Sequence, residues 1–506
     1  MELPVSLDPS RRHSLQRQLF DQLRGLILGA GLAPGTTFPP SRSLARQLGV
    51  SRNTVMLAYE RLSAEGYLQT RSALGTFVSF DLPERSLQPA GVALAHAAPA
   101  ELRRPAPPIA FQGRAQAVVN RERLEIDFWL GKLDPCCFPL ATWCRLARRV
   151  LETSERRFAE YRDPAGAPEL RRAIAHHLAL ARGMRVDPEQ IVVAAGSQEG
   201  LNIVARLLLR EGGCVAMENP SYQGAAYLFE SWRAQILPVP VDEDGLCVDA
   251  LPPGGPAFVY LTPSHQYPMG FTLSLERRLR LLDWARRHGA YVVEDDYDSD
   301  FRYRGSPLTA LMGLDDAQCV IYVGTFSKSI GAGLRLGYLV LPPHLVEAAR
   351  TVKALLDNGH PWLEQAVLAE FLSSGAYDAH LRKIRRTYLA RRDCLIECLR
   401  SRFGAVALSG TESGMHLAWH LPGHWPRAPE LQRLAADRGV GIYSLHAGAA
   451  HDFGGCAYSE RTLFLGYSSL GEAHIRAGIE RVADALGESM HSRKATQRLR
   501  PLYAHS

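Results

Sequence analysis

Apolar residues along the chain keep one period near the start and another further on. Leu15, Leu19, Leu23, Leu26 and Ile27 fall on a single helical stripe that stops at Gly29. Ser41 is placed to cap a short helix, Arg42 to Leu48, closed by Gly49. Ser51 is placed to cap a second, Arg52 to Glu65, with Val55, Tyr59 and Leu62 inward and Gly66 at its end. Two β stretches follow, Tyr67 to Thr70 and Thr76 to Ser79, joined by a tight turn containing Gly75. Helix, helix, turn, helix and β-ribbon predict a winged helix-turn-helix over residues 10–80.

The pattern then breaks. Asp81 to Ala110 holds six Pro and eight Ala with no sustained period, so residues 81–121 read as a linker. Forty such residues reach ~130 Å stretched and ~35 Å as a coil. Over residues 122–488, apolar β-rich runs alternate with helical stretches. The runs are Ile191–Ala194, Cys214–Met217, Gln235–Val239, Ala257–Leu261, Ala290–Glu294, Cys319–Val323 and Leu336–Val340. They predict an α/β domain with a mostly parallel seven-stranded sheet covered on both faces. Functional groups are then expected in the turns after the strands. Residues 489–506 read as a polar, basic, frayed tail.

Composition narrows the class. With 46% hydrophobic and 22% charged residues in 506, the chain can bury more than one core. No apolar run reaches membrane-spanning length, and Met1-Glu2-Leu3-Pro4 lacks the features of a leader, so no membrane role and a cytoplasmic location are expected. Nine cysteines without C-x2-C pairs read as thiols rather than a metal site or disulfide frame. Charge is unevenly spread: residues 1–80 hold nine Arg against five acidic residues, a net +4 of the whole chain's +6. That asymmetry suggests a nucleic-acid-facing module, and with the winged helix-turn-helix pattern the expected partner is double-stranded DNA. Arg52, Asn53 and Thr54, following the Ser51 cap, would meet base edges, with Arg42 and Arg71 on phosphates and Gly75 in the wing.

The turn Gly324-Thr325-Phe326-Ser327-Lys328-Ser329 sets a lysine between small hydroxyl residues directly after a buried strand. A desolvated amine there is suited to forming an imine with an aldehyde cofactor. Other turns supply what pyridoxal phosphate needs. Asp295, ending the Tyr291-Val292-Val293 strand, can pair with the pyridine nitrogen, and Tyr297 with the ring hydroxyl. Ala194-Ala195-Gly196-Ser197-Gln198 gives a strand, a glycine turn and a helix start for the phosphate, with Ser197 and Gln198 as added donors. Arg335 can balance the phosphate charge, Ser327 stands beside the lysine, and Tyr222 can stack on the ring.

The run from Leu32-Ala33-Pro34-Gly35 through Pro39-Pro40-Ser41-Arg42-Ser43-Leu44-Ala45 and Ser51-Arg52-Asn53-Thr54-Val55 to Gly75-Thr76-Phe77-Val78 resembles the GntR-type winged helix of bacterial transcription regulators. Ala73-Leu74 departs from the small pair such wings often carry. Further on, Tyr161-Arg162-Asp163-Pro164, Ala195-Gly196-Ser197-Gln198-Glu199-Gly200, Thr262-Pro263-Ser264-His265-Gln266, Glu294-Asp295-Asp296-Tyr297-Asp298 and Gly324-Thr325-Phe326-Ser327-Lys328 resemble the fold-type I aminotransferases. The order of parts looks like the MocR subfamily of GntR regulators.

The resemblance implies that Lys328 holds the cofactor covalently and that Asp295, Tyr297 and Tyr222 contact its ring. It places His265 where aminotransferases usually have an asparagine near the ring oxygen. It has Tyr161 reach the phosphate of a neighbouring subunit, within a head-to-tail homodimer. It also implies a regulator that senses pyridoxal phosphate or an amine or amino-acid effector. A working aminotransferase with an accessory DNA-binding domain is the alternative. Against turnover, Phe464 in Phe464-Leu465-Gly466-Tyr467 stands where aminotransferases carry the carboxylate-binding arginine. Arg461, three residues earlier, would face the other side of a strand.

Overall fold

A computed structural model describes residues 3–10, 13–29, 31–71, 75–82, 124–154, 159–304, 308–447 and 450–499. Side chains are described as far as His491. The chain divides into two compact units, Met1–Pro107 and Pro108–Ser506. Most of the expected linker, and the Ala73-Leu74 pair, lie outside the described residues.

In the first unit, α1 (Leu15–Leu28), α2 (Ser41–Leu48) and α3 (Arg52–Ala64) precede a ribbon of β1 (Leu68–Arg71) and β2 (Gly75–Val78). Leu19, Leu23, Leu44, Val55, Ala58 and Leu62 are fully enclosed and form its core. The stripe on α1 is broader than its leucines, since Gln18 and Phe20 are buried too while Leu15 and Leu26 are only half-buried. Ser51 caps α3 as expected, its Oγ accepting from the Thr54 amide at 3.1 Å. Ser41 does not cap α2: it is the first helical residue, Pro40 occupies the cap, and the Ser41 hydroxyl instead lies 3.4 Å from Arg52 Nε. Gly49 closes α2 at φ +66°, a conformation that only glycine adopts without strain.

The second unit is built on an eight-stranded sheet. Its strands are β3 (Ile191–Ala194), β4 (Cys214–Asn219), β5 (Gln235–Asp242), β6 (Gly245–Leu246), β7 (Phe258–Leu261), β8 (Tyr291–Asp296), β9 (Val320–Thr325) and β10 (Gly337–Val340). They stand in the order β3-β10-β9-β8-β7-β4-β5-β6. All seven predicted runs are strands, and the run from β9 to β5 is parallel. Two features differ from the expectation. β10 is antiparallel to both neighbours, and the two-residue β6 adds an eighth strand too short to show any apolar pattern. Val192, Val193, Val215, Val259, Val292, Ile321 and Leu339 are fully enclosed, as strands covered on both faces must be.

A smaller antiparallel sheet of β11 (Ala407–Ser409), β12 (His416–His420), β13 (Tyr443–Ser444) and β14 (Thr462–Gly466) follows, ordered β11-β12-β14-β13. The final helix, Glu472–Leu499, runs on past residue 488, where a frayed tail was expected. All nine cysteines are free thiols, three of them buried. Among the described residues, no helix is long and apolar enough to cross a membrane. Replacing the α3 cap, Ser51→Ala, is expected to destabilise the first unit by ~1 kcal/mol. Urea unfolding followed by tyrosine fluorescence of that unit, expressed as residues 1–107, checks this.

Candidate functional site

The site collects at the carboxyl ends of β3, β8 and β9. After β9 the backbone makes one π turn, Ser327–Gly331. Thr325 Oγ1 sets it up, accepting from the Ser327 amide at 3.1 Å and donating to Ser327 Oγ at 2.9 Å. On the far side, His380 Nε2 bonds the Ser329 carbonyl at 2.7 Å, and Tyr377 bonds the Ser329 hydroxyl at 2.8 Å. Clamped between them, Lys328 turns its Nζ onto the carbonyl of Gly131 at 3.0 Å. A Cβ on Gly131 would lie 2.5 Å from that nitrogen, and the φ of +69° there itself favours glycine. Burial pulls the Lys328 amine below its ordinary range, and the charges of Asp298 and then Asp295 oppose it.

Strand β8 alternates its carboxylates between two faces. Asp296 pairs with Arg182 Nε at 2.7 Å on one side. Asp295 faces the site: its Oδ2 accepts from Tyr260 at 2.7 Å, while its buried Oδ1 has no partner among the described residues. Burial pushes the Asp295 carboxyl up to about 7. Beyond it, the Tyr297 hydroxyl donates to the His265 carbonyl at 3.0 Å, and His265 Nδ1 lies 2.8 Å from Asp298 Oδ2.

At the end of β3, Gly196 takes φ +85° and opens the helix Ser197–Leu208. The Ala195 amide donates to Glu199, and its carbonyl accepts from Arg335. Glu199 is held in turn by Lys353, a lysine with no exposed side-chain surface that also bonds Asp357 at 2.6 Å. A Cβ on Gly196 would meet the Arg335 guanidinium at 2.9 Å. This gives a helix N-terminus with an arginine beside it, a natural anion cradle. Gln198 spends its amide on the Gly224 carbonyl at 2.9 Å and lies 3.4 Å from the Tyr222 hydroxyl. Tyr222 meets Tyr267 edge-on at 5.8 Å, and burial, followed by the Asp295 charge, raises its hydroxyl to about 12.

Lys328, Asp295, Tyr297, His265, Tyr222, Gln198 and Arg335 are thus linked by short contacts or by charge, and Ser197 and Ser327 are chain neighbours of Gln198 and Lys328. Tyr161 stands apart, 89% exposed. Phe464 is fully buried on β14, opposite Ala418 and Tyr443. Arg461 is tied to the Pro422 and Trp425 carbonyls at 3.2 and 2.8 Å, so it offers no guanidinium in place of Phe464. In the first unit, Arg42, Arg52, Asn53 and Arg71 are exposed, Thr54 is half-buried, and Gly75 begins β2 at φ +107°. Sequence reasoning missed Tyr260, read only as part of an apolar run, and the pairing of Asp298 with His265, two residues it had quoted in separate motifs.

Residues 15–78 match the family described as bacterial regulatory proteins, gntR family. Residues 128–451 match aminotransferase class I and II. Among curated relatives, the probable rhizopine catabolism regulatory protein MocR of Rhizobium meliloti is 36% identical, over 95% of each chain. The pyridoxine biosynthesis transcriptional regulator PdxR of Corynebacterium glutamicum is 32% identical, over 96% of this chain and 99% of that one. Among solved structures, the α-aminoadipate aminotransferase LysN of Thermus thermophilus, complexed with a phosphopyridoxyl-leucine, matches with a TM-score of 0.66. It is 30% identical over 75% of this chain and 97% of its own. An aminotransferase class I and II fold implies pyridoxal phosphate as cofactor, and the orphaned Asp295 oxygen, the buried Lys328 and the cradle at Gly196 fit that group. The chain belongs to the GntR family of bacterial regulators, in the MocR-like group that joins a winged helix-turn-helix to an aminotransferase class I and II domain.

Proposed function

We propose that the protein is a DNA-binding transcription regulator whose large domain binds pyridoxal phosphate and senses either that cofactor or an amine. The observation that carries this reading is the buried Oδ1 of Asp295, without a partner among the described residues, in a chain that also presents the exposed Arg52 at the start of the helix Arg52–Ala64. Bound pyridoxal phosphate supplies an aldehyde that condenses with amines and a ring that draws electrons from them. Lys328 would hold it, Asp295 would face the pyridine nitrogen, Tyr297 and His265 the ring oxygen, and Tyr222 the ring face. Ser197, Gln198, Ser327 and Arg335 would surround the phosphate, and the exposed Tyr161 would reach the site of a second copy in a head-to-tail homodimer. The division into a reader over residues 10–80, a linker over 81–121 and a sensor over 122–488 belongs to the same proposal.

Phe464 shapes the choice of effector. A buried phenylalanine cannot grip an α-carboxylate in the bidentate way of arginine, so amino-acid turnover loses its anchor. The effector is then the cofactor itself or an amine held by other groups. Ligand binding would act by favouring one placement of the winged helices over another. In the winged helix, Arg52, Asn53 and Thr54 would read bases and Arg42 and Arg71 would hold phosphates.

Three outcomes are expected. Lys328→Ala removes the visible absorption of the covalently held cofactor and abolishes ligand-dependent transcription; retention of full ligand response in that variant rules the mechanism out. Arg52→Ala weakens binding to the protein's own upstream DNA by ~1–3 kcal/mol in a gel-shift titration. That assay, run with and without pyridoxal phosphate and a panel of amines, tests the reading directly, and rapid transamination would favour an enzyme instead. The third concerns pH. Asp295 is raised to about 7, so the cofactor-free fold binds an extra proton and loses stability as pH climbs from the ordinary carboxylate range to neutrality. In Asp295→Asn this part of the loss disappears, as denaturant midpoints between pH 5 and pH 8 will show.

A further inference from the structure

Beside Tyr297 and His265 lies Asp298, to which the proposed function gives no role. The Tyr297 hydroxyl has one proton, and the His265 carbonyl receives it at 3.0 Å. The Tyr297 oxygen therefore faces His265 Nδ1, also at 3.0 Å, as an acceptor. Asp298 Oδ2, 2.8 Å from the same nitrogen, is an acceptor as well. Nδ1 must then carry the imidazole proton. Nε2 is buried with no partner among the described residues.

Packing fixes this arrangement. A Cβ at Gly414 would lie 2.1 Å from His265 Cε1, and one at Gly270 or Gly410 would lie 3.1 Å from Nε2. All three glycines have positive φ, so side chains are excluded there by backbone conformation as well as by space. The His416 ring sits 4.9 Å away and bonds the Pro268 carbonyl through Nε2; burial above all pushes it down to about 3, so it stays neutral. The Asp298 charge acts on Lys328, Tyr297, Tyr303 and Tyr467, and Asp295 is close enough to repel it. Of these groups only Lys328 is a cation.

We propose that Asp298 is a positioning residue of the cofactor site: it locks His265 with the proton on Nδ1, and the two act as one buried anionic unit that orients the Tyr297 hydroxyl and favours a protonated Lys328 nitrogen. A buried carboxylate demands a partner; with Nε2 buried and facing no acceptor among the described residues, the imidazole holds one proton and meets only the carboxylate's hydrogen-bonding need, leaving the charge to act on the nitrogen. The inference rests on the reading that this site takes pyridoxal phosphate.

The test uses the full chain. In protein loaded with pyridoxal phosphate, the pH midpoint of the visible absorption of the bound cofactor is expected to fall by about one pH unit or more in Asp298→Asn, since removing a nearby charge has that scale of effect. In a His265→Asn background the same substitution is expected to shift it by a different amount, because the pair acts as a unit. An unchanged midpoint, or an equal shift in both backgrounds, overturns the inference. Cofactor-free protein with 15N-labelled histidine gives a second readout that does not depend on loading. The His265 signal, assigned by its loss in His265→Asn, is expected as the neutral tautomer protonated at Nδ1; a tautomer protonated at Nε2 overturns the pair. Wild-type protein without visible absorption after cofactor addition would instead refute the cofactor reading, with the histidine spectrum still deciding the pair.

Discussion

The large domain is organised by the need to keep an amine and a carboxylate out of water within reach of each other. Lys328 and Asp295 follow or end adjacent parallel strands, β9 and β8, whose register sets Asp295 beside Val323. Burial disfavours both charges, pulling the lysine down and the aspartate up. Such a site persists only if its surroundings are rigid. That rigidity is visible in the hydroxyl clamp on the π turn, in Tyr260 beneath Asp295, and in the Lys353-Glu199 pair that fixes the turn at Ala195. The buried aliphatic strands are the frame on which these polar contacts hang.

The same frame explains what could be read in advance. Seven strands were visible because strands covered on both faces are continuous apolar runs, and the turns after them carried the chemistry of Lys328, Asp295, Ser197 and Arg335 in plain sequence. Pairing was not visible. Nothing local to Gly337–Val340 says that it runs against its neighbours, and two residues, Gly245 and Leu246, cannot show a period. Ser41 looked like a cap because a serine before an amphipathic run usually is one; the extended backbone of Pro40 takes that position first.

Within the site, the residues missed were those whose partners lie far away in sequence. Tyr260 is an ordinary core aromatic until the sheet brings it to Asp295, 35 residues on. Gly131 lies 197 residues from Lys328 and had no motif to mark it. His265 was noticed through resemblance, but the three glycines that enclose it are scattered between Gly270 and Gly414. Local sequence carries strand ends and caps well, whereas close approaches between distant segments are properties of the packed core.

The bond from Lys328 to Gly131 has a mechanical side. It exists only while the nitrogen is free to make it, and any covalent use of that nitrogen leaves the carbonyl without its donor. Gly131 lies just after Ile126–Asp127, the strand with which the described part of the large domain begins and which pairs with Val440–Gly441. A covalent load on Lys328, beyond the carboxyl end of β9, would thereby change a contact made by the first described segment of the large domain.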